Sequence, residues 1–355
     1  MRGAPPGLVR DARRRGDPLP GTAGFAGRLD GALVRDVLGR EPLFSEAGDP
    51  AAWSHDPTDL ADPDPVPAGH RRTDGGDRRL WTLPTPDPDD PGAALDRVRA
   101  AVLSSVDGAE ADAVAFSGGV DSALVASGLP DATCYVAGFE GAHDPARARE
   151  AAAALGRDLR VVTLDHADLR RAVRAVVAAT GRTNAMDVAI AATLYPAAAA
   201  AAADGHDRIA LGQGADELFG GYAKVAELDD RVAADSVRGA VRETIRDLPA
   251  GLERDVLAVR AAGVDPAMPL LHDRVVAAAL ALPADLLVDP DGAERKVALR
   301  RVARERVGAA AEADKKAAQY GSYVARELDR LARRAGFKRR MDDHVRRYVE
   351  SLTRG

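Results

Sequence analysis

A run of six residues, Ser117-Gly118-Gly119-Val120-Asp121-Ser122, constrains this chain more than any other. It follows a short apolar run, residues 113–116, and leads into helical spacing over 122–127. Two glycines let backbone N–H groups face a concavity with no Cβ in the way. A helix N-terminus aimed at the same point adds unpaired donors and a dipole that favours an anion. Ser117 and Ser122 add hydroxyl donors. Asp121 would repel a bare phosphate, so its presence calls for Mg²⁺ between the two. The competing explanation is a glycine-containing turn capped by Asp or Ser.

The surrounding pattern alternates. Apolar runs at 113–116, 132–137, 160–164 and 208–211 read as strands; 122–127, 145–155, 169–180 and 187–203 read as helices. Such alternation predicts an α/β fold, a parallel sheet with helices on both faces. Beyond residue 216 the spacing predicts helical additions at 229–246, 273–281, 294–306 and 323–352. Residues 1–83 show no long helical period and read as a small β-rich region, with strand-like pieces at 32–34 and 79–82. Residues 84–92, with proline at 84, 86, 88 and 91, read as a linker, and 93–106 as a helix.

A second run, Gly212-Gln213-Gly214-Ala215-Asp216-Glu217-Leu218-Phe219-Gly220-Gly221-Tyr222, follows the strand at 208–211. Ligands of open parallel sheets bind at strand ends. Two adjacent carboxylates among glycines can hold Mg²⁺, or can simply complement a helix dipole.

In this order the two motifs resemble the synthetase domain of the asparagine synthetase family, an ATP pyrophosphatase-type domain. Ala137-Gly138-Phe139-Glu140-Gly141, Asp187-Val188, the 263–273 stretch and Glu294-Arg295-Lys296 through Leu299-Arg300 extend the similarity over roughly 93–322. The resemblance implies an adenine nucleotide alpha hydrolase-like fold with ATP and Mg²⁺ as cofactors. It places Phe116, Ser117, Gly118, Gly119, Asp121, Ser122, Ala137, Gly138, Asp187, Leu211, Gly212 and Gly214 at the nucleotide, and Asp121, Asp216 and Glu217 at the metal. It also implies an aspartate or similar carboxylate attacking the α-phosphate of ATP, then ammonia attacking the aspartyl-AMP. A late lysine would stabilise the phosphate charge; Lys315 and Lys316 stand in that region, with Lys315 favoured. Gln213 occupies the position of a family Glu that handles ammonia, and a glutamine cannot take up a proton near neutral pH. Ala267-Met268 stands where the family has an arginine.

Residues 34–44, 66–70 and 80–84 resemble pieces of the family's glutaminase domain, so 1–83 is expected to be a shortened remnant, with 93–355 as the ATP-binding domain. The family nucleophile is an N-terminal cysteine. This chain starts Met1-Arg2-Gly3, and its one cysteine, Cys134, falls in a strand. The expectation is free ammonia, or ammonia from a separate glutaminase; a homodimer is also admissible. Amidation or cyclisation of another carboxylate, as in β-lactam synthetase relatives, and a weakly active nucleotide-binding regulatory protein are the alternatives.

Composition narrows the remaining classes. A formal net charge of −6 offers no general attraction to nucleic acid or an anionic membrane. The basic stretch 330–347 is interrupted by acids and is expected to be a solvated amphipathic helix rather than a nucleic-acid surface. A single cysteine precludes an internal disulfide framework and fits a cytoplasmic setting. The Ala-rich stretch 189–203 is expected to be a buried helix rather than a membrane span, and no histidine has metal-ligand spacing.

Overall fold

Alternating apolar runs and helical spacing become, between residues 113 and 267, a five-stranded sheet with every neighbouring pair parallel. The computed structural model describes residues 1–227, 234–292, 294–312 and 318–353. They form two compact units, one of residues 1–109, 212–253 and 268–308, the other of 110–211, 254–267 and 309–355.

The first unit begins with α1 (Pro6–Arg15), where the sequence shows too little periodicity to announce a helix. Only Val9 and Ala12 are buried in it, and Val9 joins Phe25, Leu29, Val34 and Trp81 in one core cluster. Its formation therefore rests on tertiary contact, with Arg13, Arg14 and Arg15 in the last turn complementing the dipole. Strands β1 (Ala26–Leu29), β2 (Ala32–Arg35), β3 (Phe44–Glu46), β4 (Asp49–Ser54), β5 (Pro63–Pro65), β6 (His70–Thr73) and β7 (Gly76–Arg79) follow. They make two antiparallel sheets, β1-β2-β6-β7 and β4-β3-β5. The strand expected at 79–82 ends at Arg79, because Leu80 and Trp81 turn inward and both donate their N–H to Gly69 O. The proline-rich segment is tied down: Arg242 donates to the Leu83 and Pro84 carbonyls and Arg238 to that of Pro86. Asp90 then caps α2 (Pro91–Asp107).

In the second unit, β8 (Ala113–Ala115) leads to α3 (Val120–Ser127), β9 (Thr133–Phe139), α4 (His143–Ala154), β10 (Leu159–Leu164), α5 (His166–Thr180), α6 (Ala185–Ala203) and β11 (Arg208–Ala210). Cys134 is fully buried in β9, and burial pushes its thiol pKa up, which suits a core residue and not a nucleophile. Among the described residues one helix, α6, is long and apolar enough to cross a membrane. Here Val188, Ala191, Ala192 and Ala198 are buried, and α6 packs on α5 and β9.

The chain continues through α7 (Ala215–Phe219), α8 (Ala223–Glu227), α9 (Val237–Ala261), β12 (Asp265–Ala267), α10 (Asp273–Leu280) and α11 (Val297–Val307). Helix α9 runs well past the expected end at 246, through Pro249. The buried side chains beyond the proline, Leu252, Val256, Leu257 and Val259 among them, outweigh the one lost backbone bond. Strand β12 went unrecognised because Asp265-Pro266-Ala267 reads as a turn. It lies at the sheet edge against β11, where a proline is tolerated.

After α12 (Ala318–Gly321), the single helix expected over 323–352 is two, α13 (Val324–Arg334) and α14 (His344–Thr353). Gly336, at φ 93°, ends the first, where Phe337 N–H donates to Ala332 O at 3.0 Å. The basic stretch is largely self-neutralised: Arg333, Arg339 and His344 all converge on Asp329. The hydrogen bond from Arg339, against a burial that works the other way, holds the Asp329 carboxyl well below its ordinary value of 3.8. Because the folded value is the lowered one, its stabilising contribution is complete above 3.8 and is lost only as pH falls through the lowered value. Hydrogen exchange of α13 and α14 should thus stay protected at pH 5 and lose protection in stronger acid. Asp329→Asn should remove that acid dependence and weaken protection already at neutral pH.

Candidate nucleotide and acid site

The strand order β10-β9-β8-β11-β12 has a reversal in it. From β8 the chain steps outward to β9 and β10, then returns to the other side of β8 for β11 and β12. The crevice beyond the carboxyl ends of β8 and β11 is thus the topological switch point, the preferred ligand position in an open parallel sheet. Both expected motifs leave the sheet there. Pairing extends to the last strand residue on each side, with Phe116 N–H donating to Tyr135 O at 2.7 Å and Leu211 N–H to Ala267 O at 2.8 Å.

The loop after β8 lies wholly in the second unit. Gly118 has φ 71°, and a Cβ there would sit 2.8 Å from the Arg147 carbonyl oxygen on α4. Backbone conformation and space each demand glycine. Gly119 stands at the N-cap of α3, where no side chain caps the helix, so its first N–H groups are left for another acceptor. Ser122 Oγ donates to Gly119 O at 3.1 Å and lies 3.3 Å from Ser117 Oγ, which pins the loop's ends together. Asp121 and Ser122 are buried.

The end of β9 is equally close-packed. Ala137 is buried, and a Cβ on Gly138 would meet Pro145 Cγ at 2.8 Å. Phe139 N–H donates to Ser322 O at 3.1 Å, bringing the segment after 318 against this strand end. Asp187, expected near the nucleotide, has both carboxylate oxygens occupied. Oδ1 pairs with Arg254 Nη1 at 2.7 Å, and Oδ2 accepts from Asn184 Nδ2 at 2.8 Å and Arg182 Nη1 at 3.2 Å. Burial raises its pKa, but the Asn184 and Arg254 hydrogen bonds outweigh that and leave it lowered. These three partners make it an anchor of α6.

The acidic motif lies in the first unit. Gly214, at φ 88°, precedes α7, and a Cβ there would strike Leu271 Cδ2 at 2.3 Å. Gly212 and Gln213 are half-buried beside it. Asp216 Oδ1 is paired with Lys296 Nζ at 2.7 Å. Glu217 Oε1 accepts from the Tyr222 hydroxyl at 2.5 Å, and the Glu217 carbonyl from Thr244 Oγ1 at 3.0 Å. Burial raises the Glu217 pKa, and the Tyr222 hydroxyl opposes it. Gly221 is held against the pair, since a Cβ on it would lie 2.0 Å from Asp216 Oδ1 and 2.4 Å from Lys296 Cε. Among the described residues no group of three or more His, Cys, Asp or Glu side chains forms a preassembled metal centre.

Lys315 and Lys316 lie outside the described residues. Lys296 is the cation that sequence reasoning passed over, although it noted the segment. It is buried, its backbone is left-handed at φ 59°, and its ammonium reaches the motif aspartate. The signal available in the sequence was scarcity: the chain has only five lysines, and one falls in the segment beginning Glu294-Arg295-Lys296.

Two comparisons with known proteins bear on these motifs. Residues 93–255 match the family model described as asparagine synthase. A protein of Methanocaldococcus jannaschii named "Putative asparagine synthetase (glutamine-hydrolyzing) 1" is 28% identical over 297 residues, covering 73% of this chain and 54% of the relative. The chain thus spans about half the length of the curated relative it matches. The parallel sheet flanked by helices is the α/β architecture of the adenine nucleotide alpha hydrolase type expected of such a domain. Residues 93–255, a little under half of the chain, are thus similar to the asparagine synthase family.

Proposed function

We propose that this chain forms an amide from a carboxylate and an amine at the expense of ATP, through an acyl-adenylate, with AMP and pyrophosphate as products. The observation that carries this reading is the loop at the switch point. Gly118 and Gly119 open it, the uncapped N-terminus of α3 faces it, and Ser117 and Ser122 edge it. That arrangement suits a pyrophosphate group, whose charge is met by backbone donors without a lysine in the loop. Phe116, Ala137, Gly138, Leu211, Gly212 and Gly214 are assigned to the nucleotide as the family resemblance implies; Asp187 would act by fixing the start of α6.

Asp121, Asp216 and Glu217 are assigned to Mg²⁺. This ion is commonly held by one or two carboxylates together with phosphate oxygens and water, so the lack of a preassembled cage fits it. Lys296 is assigned to the charge that develops on the α-phosphate as the carboxylate oxygen attacks and the bond to pyrophosphate breaks. A buried, positioned ammonium is suited to that task. Gln213 can orient the incoming amine by hydrogen bonding, while the proton that leaves it goes to another base or to solvent. Aspartate is the proposed carboxylate, with free ammonia or ammonia from a separate glutaminase as the amine, and residues 1–83 are proposed to be a reduced glutaminase-like module. The buried apolar pair Ala267-Met268, standing where the family carries an arginine, favours as second reading another carboxylate.

Pyrophosphate release from Mg-ATP tests this directly. Release that depends on aspartate and ammonium supports the first reading, and release with another acid the second. Turnover to ADP and phosphate would overturn both, and glutamine-driven turnover without added ammonium would overturn the proposed amine source. Gly118→Ala should abolish the ATP-induced rise in Tm and lower Tm itself by the equivalent of about 1–3 kcal/mol, since it combines a disfavoured φ with a backbone collision. An unchanged nucleotide response in that variant would remove the loop from the nucleotide site.

A further inference from the structure

Within the first unit, a cavity of about 330 Å³ opens between residues 37–38, 68 and 79–83 and the α9 segment 242–249. Val37, Trp81 and Ile245 contribute apolar walls. Its charged side chains are Arg79, Arg242 and Arg246, and no carboxylate lines it. On α9, Arg238, Arg242 and Arg246 recur every four residues on one face, an arrangement in which like charges repel. Arg238 and Arg242 spend donors on the carbonyls of Leu83, Pro84, Pro86 and Leu280. Burial and the charges of Arg246 and Arg238 hold Arg242 below its ordinary pKa. The side chains of Arg79 and Arg246 make no hydrogen bond or ion pair among the described residues.

We infer that this cavity is a binding site for a small organic oxyanion, a carboxylate or phosphate joined to an apolar body. The volume is that of a small-ligand site, and the lining has the usual composition of one: apolar walls with a few charged groups. Guanidinium forks hold planar and tetrahedral oxyanions through paired N–H donors. Arg79 and Arg246 are exposed at the cavity's edge and Arg242 is half-buried within it, so an oxyanion seated there would meet three guanidinium groups and no carboxylate.

The chain contains two tryptophans, Trp53 and Trp81, so Trp53→Phe leaves one reporter in the cavity wall. Titrating that protein with phenyl phosphate and with phenylacetate should give a saturable change in tryptophan emission with at least one of them, and the stronger binder identifies the head group. Arg79→Gln combined with Arg246→Gln, both at exposed positions, should weaken binding at least about tenfold without changing the ATP-induced Tm shift. Calorimetry on the unsubstituted chain repeats the titration independently of the Trp53 change. The inference falls if neither method detects saturable binding. It also falls if the double variant binds as tightly, or if phenylacetamide or inorganic phosphate binds as well as the aryl oxyanions.

Discussion

Replacing Lys296 by methionine should lower the rate of pyrophosphate release by about a hundredfold to a thousandfold, the usual cost of removing one preorganised donor from developing negative charge. Methionine keeps the length and apolar contacts of the lysine stem and removes only the ammonium. The cost to folding should be small by comparison, because the Asp216 side chain it leaves behind is 45% exposed and can hydrate. Lys296→Arg should not rescue the rate. A planar guanidinium does not fit a space in which even a Cβ on Gly221 would come within 2.4 Å of Lys296 Cε. The measurement is single-turnover formation of AMP and pyrophosphate, with Tm recorded for each variant. Lys315→Ala and Lys316→Ala belong in the same series. If the large loss falls on either of those while Lys296→Met stays within a few-fold of the original, Lys296 serves only to position Asp216.

The largest stability effect should come from Arg40. Its side chain is fully buried, with Nε on Asp36 Oδ1 at 2.8 Å, Nη2 on Asp273 Oδ1 at 2.7 Å and Nη1 donating to Leu271 O at 2.7 Å. Asp273 Oδ2 in turn accepts from the N–H groups of Gly21 and Thr22. One guanidinium therefore ties residues 21–40 to the start of α10. Arg40→Met leaves two buried carboxylates without their cation, and losing one partner of a buried pair costs about 3–5 kcal/mol. Arg40→Lys should recover little of this, since one ammonium cannot meet three acceptors placed around a planar fork. Denaturant unfolding followed by the emission of Trp53 and Trp81, both in this unit, reads the change. A loss below about 1 kcal/mol would show that solvent reaches these groups in the folded chain.

Arg40 also shows where sequence reading stops. Nothing in its neighbourhood separates it from the many other arginines of the chain, because its partners lie four and 233 positions away. The elements that were legible carry their physical reason locally. The Ser117–Ser122 turn needs glycine for backbone conformation, and the β8–α6 alternation repeats an apolar period over short windows. Helix α1, strand β12 and the continuation of α9 past Pro249 do not, since each is weak or broken by local preference and exists through what it packs against. The break at Gly336 is the opposite case, a local left-handed residue that interrupts a spacing otherwise continuous.

The candidate site divides in the same way. By itself the sequence determined the glycine-built Ser117–Ser122 loop, the paired acids and the alternating fold, because glycine conformation, helix dipoles and apolar period act between near neighbours. Only the tertiary structure decided that Asp187 serves as an anchor among Arg254, Arg182 and Asn184, that Lys296 reaches Asp216, and that three arginines share an apolar cavity. Those depend on electrostatic and steric partners distant along the chain, and the meeting of distant residues is settled by packing, not by local pattern.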